Sequence, residues 1–349
     1  MREPLILDGH NDLLTRLLQR GGLSATADFA RSDAGAIDLA RARAGGFGGG
    51  FFAVWAPSPM DASARMARMQ GDSYDMPLPP PLGHGEASAI VAEEIAILEA
   101  LQQAGHLRIC TDTAMLRETL GSERLAAILH IEGAEAIGPD LAELQGLHDR
   151  GLRSLGPVWS RETIFGHGVP FRFPSTGDTG PGLTDAGKRL VAACDEMGIM
   201  LDLSHLNEAG FRDVARLSRR PLVATHSNAH AISPHARNLT DAQLDAIAES
   251  DGIVGLNFAC AFLRPDGRMR SDTGLDIVLR HLDHLLDRLG EDRVGIGSDY
   301  DGALVPKALT SVADLPALRR AMTDHGIGPE TMAKICHGNW LRVLAKSWD

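Results

Sequence analysis

The chain has 349 residues, 44% of them hydrophobic, and a formal net charge of −12. That length and apolar content suit one α/β barrel domain over residues 1–349. The acidic balance argues against a general nucleic-acid binder, which needs a basic face for phosphates, and no stretch approaches the roughly 20 apolar residues of a membrane span.

Eight short apolar runs rich in strand formers follow one another, at 5–8, 49–55, 125–131, 153–158, 199–203, 221–225, 253–257 and 294–297. Segments with helical periodicity separate most of them: 87–104 ending at Gly105, 185–197 between Thr184 and Gly198, 274–289, and a last helix over 329–346. Thr240 and Gln243 have capping-box spacing, with Leu239 and Leu244 as the accompanying staple. Strands alternating with helices give a parallel sheet, and eight such units predict a (β/α)8 TIM barrel. Two stretches break the rhythm and read as inserted loops after strands 2 and 4. Residues 56–85 are proline-rich, and 161–183 are rich in Gly, Pro, Thr and Ser; long irregular loops in a compact domain usually serve function.

Cys110, Cys194, Cys260 and Cys336 form no paired motif, which reads as free thiols in a reducing compartment. The N-terminus runs straight into an apolar strand without the pattern of a signal peptide, so the cytoplasm is the default location.

The chemistry lies at the strand ends. The first run is followed by His10 and Asp12, the third by Glu132, the fifth by His205, the sixth by His226 and the eighth by Asp299. Carboxyl ends of the strands are where this fold builds active sites. Strand alternation puts His10 and Asp12 on one face, able to offer a metal an imidazole and a carboxylate together. Such a donor set suits zinc, with manganese or iron also compatible. Glu132 has two oxygens and could bridge two ions, one completed by His10 and Asp12, the other by His205 and His226. Two metals about 3.5–4 Å apart would lower the pKa of a shared water and polarise a carbonyl. Asp299 could take a proton from that water and return it to a leaving amine; the alternative is a helix cap, the role left to Asp301. His130 shares a face with Glu132 and is a candidate supporting residue. His230 and His235 lie in the loop after strand six, and Trp55 ends strand two as a candidate pocket wall.

These residues resemble the renal (membrane) dipeptidase family of zinc metallopeptidases, within the amidohydrolase superfamily. The matching motifs are Asp8-Gly-His-Asn-Asp12, Ile131-Glu-Gly133, Asp202-Leu-Ser-His205, Thr225-His-Ser-Asn228, Arg237-Asn238, Gly297-Ser-Asp-Tyr-Asp-Gly302 and Gly338-Asn-Trp-Leu-Arg-Val343. The resemblance implies a metallo-dipeptidase in which metal-bound hydroxide cuts the peptide bond of dipeptides, including those with a C-terminal D-residue. It assigns two zinc ions to His10, Asp12, Glu132, His205 and His226, proton transfer to Asp299, and the substrate's terminal carboxylate to Arg237, with Asn238 beside it. A planar guanidinium suits that last task, because it holds a carboxylate bidentately. A dipeptide is then the partner, with no nucleic acid and no membrane; a homodimer is compatible with the resemblance.

Two departures stand out. Animal members carry a histidine at the end of strand four that holds the substrate carbonyl oxygen, and this chain has Trp159 there. An indole N–H can donate one hydrogen bond but cannot act as an imidazole does. The expectation is that His167, in the glycine-rich loop, folds back into that role. Trp159 also keeps open a second enzyme reading, hydrolysis of a lactone or cyclic amide on the same metals, since fold does not fix substrate. A barrel without catalysis is the third reading, and the full donor set argues against it. The second departure is that the lipid anchorage of animal members has no matching signal here, as the chain ends Ala345-Lys-Ser-Trp-Asp349.

Overall fold

A computed structural model describes residues 3–31, 35–58 and 67–348. Its eight barrel strands are β1 Ile6–Asn11, β2 Phe47–Trp55, β3 Leu125–Glu132, β4 Leu152–Gly156, β5 Met200–Leu201, β6 Val223–Ser227, β7 Ile253–Leu256 and β8 Val294–Ile296. Each of the eight expected runs supplies one. They pair in parallel from β5 through β4, β3, β2, β1, β8 and β7 to β6. A parallel bridge between Asp202 and Val223, with Leu203 N donating to Val223 O at 2.9 Å, joins β5 to β6 and closes the ring.

The helices follow their local signals. Asp185–Met197 starts at Thr184, whose hydroxyl accepts from Gly187 N, and stops at Gly198 in the left-handed conformation. Asp241–Glu249 carries the capping box of Thr240 and Gln243. Leu275–Leu289 buries Val278, Leu282 and Leu285 at helical spacing. Among the described residues no helix is long and apolar enough to cross a membrane.

The barrel floor is apolar. Leu7, Phe51, Ala126, Ile128, Met200, Val223 and Ile253 cluster with Trp340 and Leu344 of the last helix, Asn339–Trp348. Trp340 Nε1 donates to Ile296 O at 3.1 Å, so its buried polar atom is satisfied. A Cβ on Gly9 or Gly295 would fall 2.5 Å from the Trp340 ring system, so these glycines make room for the plug. Truncating Trp340 would cost about 3–5 kcal/mol.

Two irregularities in the ladder aim the ligands. Leu7 belongs to the floor while Ile6 packs outside, so strict alternation would point His10 outward. Between Asp8 and Asn11, however, β1 carries one more residue than β2: Asp8 faces Gly50 and Asn11 faces Phe52. The same happens in β6, where Ala224 faces Val254 and Ser227 faces Leu256. A bulge shifts the pleat by one and turns the following side chains to the other face. His10 and His226 sit inside these two bulges.

Some features differ from the sequence expectation. Strand β5 is only two residues long, and the pairing continues beyond it as a single bridge at Asp202. A short strand, Leu107–Ile109, pairs with β3 outside the ring; three residues are too few to register as a periodic run. The two inserted loops meet each other: Tyr74–Asp75 pairs antiparallel with Arg172–Phe173. Within the first insert, positions 59–66, including Pro59, lie outside the described residues.

Candidate active site

The strand ends bring His10, Asp12, Glu132, His205, His226 and Asp299 together. All but Asp299 are nearly fully buried, and Asp299 is half-buried. Glu132 Oε1 is the centre: His205 Nε2 lies 2.9 Å from it, His226 Nε2 3.3 Å and His10 Nε2 3.8 Å. Yet this buried oxygen makes no hydrogen bond. His205 Nε2 and His226 Nε2 are 3.2 Å apart, and the His10 and His226 rings stack with centroids 3.8 Å apart. His10 Nε2 is also 3.4 Å from Asp12 Oδ2. Imidazole nitrogens and carboxylate oxygens converging on one buried point, with Glu132 Oε1 left without a hydrogen bond, fit a metal cation at their centre. His10, Glu132 and His226 can approach one ion together, as can His10, Asp12 and Asp299.

Charge follows the same logic. Burial alone would push the His10 pKa down, but Glu132 and Asp12 hold it at about 10. Burial lifts Glu132 to about 8, against the pull of His10. Burial and the neighbouring Asp12 raise Asp299. Burial, then His10 and Arg237, drives His226 well below its ordinary value. The cluster demands positive charge among its carboxylates, from protons or from metal.

A supporting layer orients these groups. Asp202 accepts from Thr225 N, Thr225 Oγ1, Ser204 N and Ser204 Oγ at 2.6–3.1 Å. Thr225 Oγ1 in turn lies 2.7 Å from His226 Nδ1. Ser160 Oγ is 2.9 Å from His205 Nδ1. Asn257 Nδ2 donates to Asp299 Oδ2 at 3.0 Å. Asp8 accepts from Ser298 N and Oγ at 2.7 and 2.6 Å, tying β8 to β1 beside the ligands. His130 Nδ1 lies 2.9 Å from Ser154 Oγ and its edge faces His10. Ser160, Asn257 and Asp8 had no role in the sequence reading. All three needed the fold, Asp8 because the bulge after it breaks the alternation that would relate it to His10.

The cluster opens into a pocket of about 90 Å³ that is continuous with solvent. Asp12, Glu132, His205 and Asp299 form its polar end, and Trp55, Trp159, Phe171, Phe262, Met69 and Met269 are among its walls. Trp55 and Trp159 pack with centroids 4.9 Å apart.

The other predicted site residues fall differently. Arg237 is buried next to the cluster, with Nε donating to His205 Nδ1 at 3.2 Å, Nη1 to Ser227 Oγ and Nη2 to His226 O. Asn238 is buried beside Arg237, and its amide donates to Ser233 O and Phe262 O. The chain does return to Trp159 at Gly168, next to His167, but the imidazole is paired with Glu162. Its Nδ1 pairs with Glu162 Oε1 at 2.9 Å near the surface, a partner five residues away that is cheaper to reach than the buried site. Trp159 itself is the wall. His235 is buried among Phe262 and Tyr74, and His230 meets Ser175 O. Asp301 is structural, pairing with Arg16 and accepting from Ala36 N.

The profile of the membrane dipeptidase family (peptidase family M19) matches residues 1–347. The chain belongs to this family of metallo-dipeptidases. A metallopeptidase from Rhodobacter sphaeroides, solved with a phosphinate mimic of the dipeptide L-Ala-D-Ala, is 52% identical, with a TM-score of 0.97 over 99% of this chain and 100% of that one. A family M19 metallopeptidase described as dipeptidase AC has the same identity and TM-score, covering 99% of both chains. A Klebsiella pneumoniae protein described as uncharacterized is 44% identical over 76% of this chain and 98% of its own length. Membership in the family brings with it hydrolase chemistry and a metal cofactor.

Proposed function

We propose that this metallo-dipeptidase holds two zinc ions, with His10 and Asp12 on one, His205 and His226 on the other, and Glu132 on both. The observation that carries this reading is Glu132 Oε1, buried, without a hydrogen bond, and faced by three imidazole nitrogens. Bound divalent ions supply Lewis acidity to a carbonyl oxygen and a lowered pKa to water. The remaining work belongs to side chains. Asp299, held by Asn257, takes a proton at Oδ1 or Oδ2 and gives it to the departing amine. Arg237 receives the substrate's free carboxylate. Its bonds to described residues use one N–H on each nitrogen, which leaves a second N–H on each Nη for that purpose. Trp55, Trp159, Phe171 and Phe262 exclude water and hold the side chains.

The substrates are dipeptides, including those with a C-terminal D-residue; the Rhodobacter sphaeroides relative, liganded with a mimic of L-Ala-D-Ala, supports this. The test is to purify the protein with zinc supplied, count metal per chain, and assay L,L and L,D dipeptides. Two zinc ions and turnover of both series are expected. Lactone turnover without dipeptide turnover would overturn the assignment.

A further inference from the structure

Arg161 has no part in the chemistry above, yet it is among the largest fully buried side chains in the protein. Its guanidinium reaches three segments at once. Nε donates to Glu135 Oε1 at 2.8 Å, Nη1 to Ser58 Oγ at 2.8 Å and Nη2 to Ala56 O at 2.9 Å. Ala56 and Ser58 follow β2 directly after Trp55, Glu135 lies three residues beyond Glu132, and Arg161 lies two residues beyond Trp159. The Arg161 Cζ atom also sits 5.7 Å from the centroid of the Trp159 ring. One cation therefore ties the ends of β2, β3 and β4 together beneath the two tryptophans of the pocket wall. Gly168 seals the same place from the second inserted loop, since a Cβ there would fall 1.9 Å from Trp159 O and 2.7 Å from Arg161 N.

We propose that the buried Arg161–Glu135 pair is the positioning element of the Trp55–Trp159 wall and so governs how tightly substrate docks, apart from the metal chemistry. The physical reason is geometric. A guanidinium is a rigid planar fork, and three donors fixed to three acceptors leave the Ala56 and Trp159 backbones little freedom to separate. A lysine could satisfy the charge of Glu135 but not all three directions. Charge alone does not explain the pair, because a buried ion pair gains little over apolar residues of similar volume. Among the described residues, the hydrogen bonds of Arg161 run to Glu135, Ser58 and Ala56 and not to a metal-ligand candidate; Ser160 and Trp159 beside it do meet His205, so zinc content is read together with the kinetics. The link to docking rests on the dipeptidase reading of the pocket.

The experiment compares the zinc-loaded parent with two variants: Arg161→Lys, and the double variant Arg161→Met with Glu135→Leu, which leaves no buried charge uncompensated. Zinc content, steady-state kinetics on a dipeptide with uncharged side chains, and acrylamide quenching of tryptophan fluorescence are read together, with Trp55→Phe and Trp159→Phe assigning the signal. The expected result in both variants is unchanged zinc content, kcat within about twofold, KM raised about tenfold, and greater quencher access to Trp55 and Trp159. A folded, zinc-loaded double variant with unchanged KM and quenching would overturn the proposal, as would an equal fall in kcat without a change in KM. If the parent cleaves no dipeptide, the dipeptidase reading falls, and quenching of the same variants still decides whether the pair holds the wall.

Discussion

A Cβ on Gly302 would fall 2.0 Å from Asp12 Oδ2 and 2.7 Å from Asp299 Oδ1. The loop after β8 therefore leaves a cradle in which two carboxylates from opposite ends of the chain come together. Asp299 and Asp301 reach it through left-handed backbone, with φ of 61° and 67°, which aspartate tolerates better than most residues.

Gly302→Ala should displace Asp12 and lower metal affinity about 10–100-fold, as loss of an orienting contact does. Metal titration followed by activity checks this. Parental affinity in a folded Gly302→Ala protein would show that the cradle has no such part.

Asp299→Asn should retain metal and lose about 10²–10⁴ in kcat. Asn257→Ala, which removes only the hydrogen bond to Asp299 Oδ2, should lose less, about 10–100-fold, again in kcat. If Asn257→Ala proves more damaging than Asp299→Asn, proton transfer is assigned to the wrong group.

Removing metal with a chelator should abolish activity and lower the melting temperature, because buried Glu132, Asp12 and half-buried Asp299 then lose their shared cation. Zinc at about 1,000 times its Kd adds about 4 kcal/mol to the folded state. Equal melting curves with and without zinc would contradict a metal at this cluster.

Beyond its acidic end, the pocket's described lining is apolar, with Met69, Phe171, Phe262, Met269 and Leu304. A charged substrate side chain would lose hydration there without a partner, which costs more than burying a neutral polar group. Dipeptides of Ala or Leu should exceed those of Lys or Asp in kcat/KM by about 10–100-fold. A panel that ranks the charged dipeptides first would refute this.

Glu94 is fully buried, and its Oε2 accepts from Trp55 N at 2.6 Å. Burial raises its pKa well above the ordinary 4.5. The unfolded chain therefore ionises first, and stability falls as pH rises above about 4.5 towards the folded value. Glu94→Gln keeps the acceptor without that penalty. It should melt with the parent near pH 4 and above it at pH 8. Parallel pH profiles for the two proteins would disprove the buried neutral carboxyl.

Much of the fold was legible because its signals are local. Each barrel strand lay on an apolar run, and the helices at 185, 241 and 275 began where Thr184, Thr240 and Gly274 open them. His10, Asp12, Glu132, His205, His226 and Asp299 were legible for a related reason: they follow the strands, and every strand in this topology ends at the same rim. Leu107–Ile109 was not legible, because its pairing with β3 is a tertiary event.

The sequence by itself determined the strand count, the order of the donor residues and their common end of the barrel, because these depend on periodicity and chain direction. Which way His10 and His226 face was decided only by the bulges in β1 and β6, which exist in the register between neighbouring strands and not within either one. The same holds for His167 and Trp159. Sequence distance allowed the histidine to reach the pocket, but its imidazole pairs locally with Glu162, five residues away, whereas the aromatic wall of Trp55 against Trp159 comes from packing between segments about a hundred residues apart.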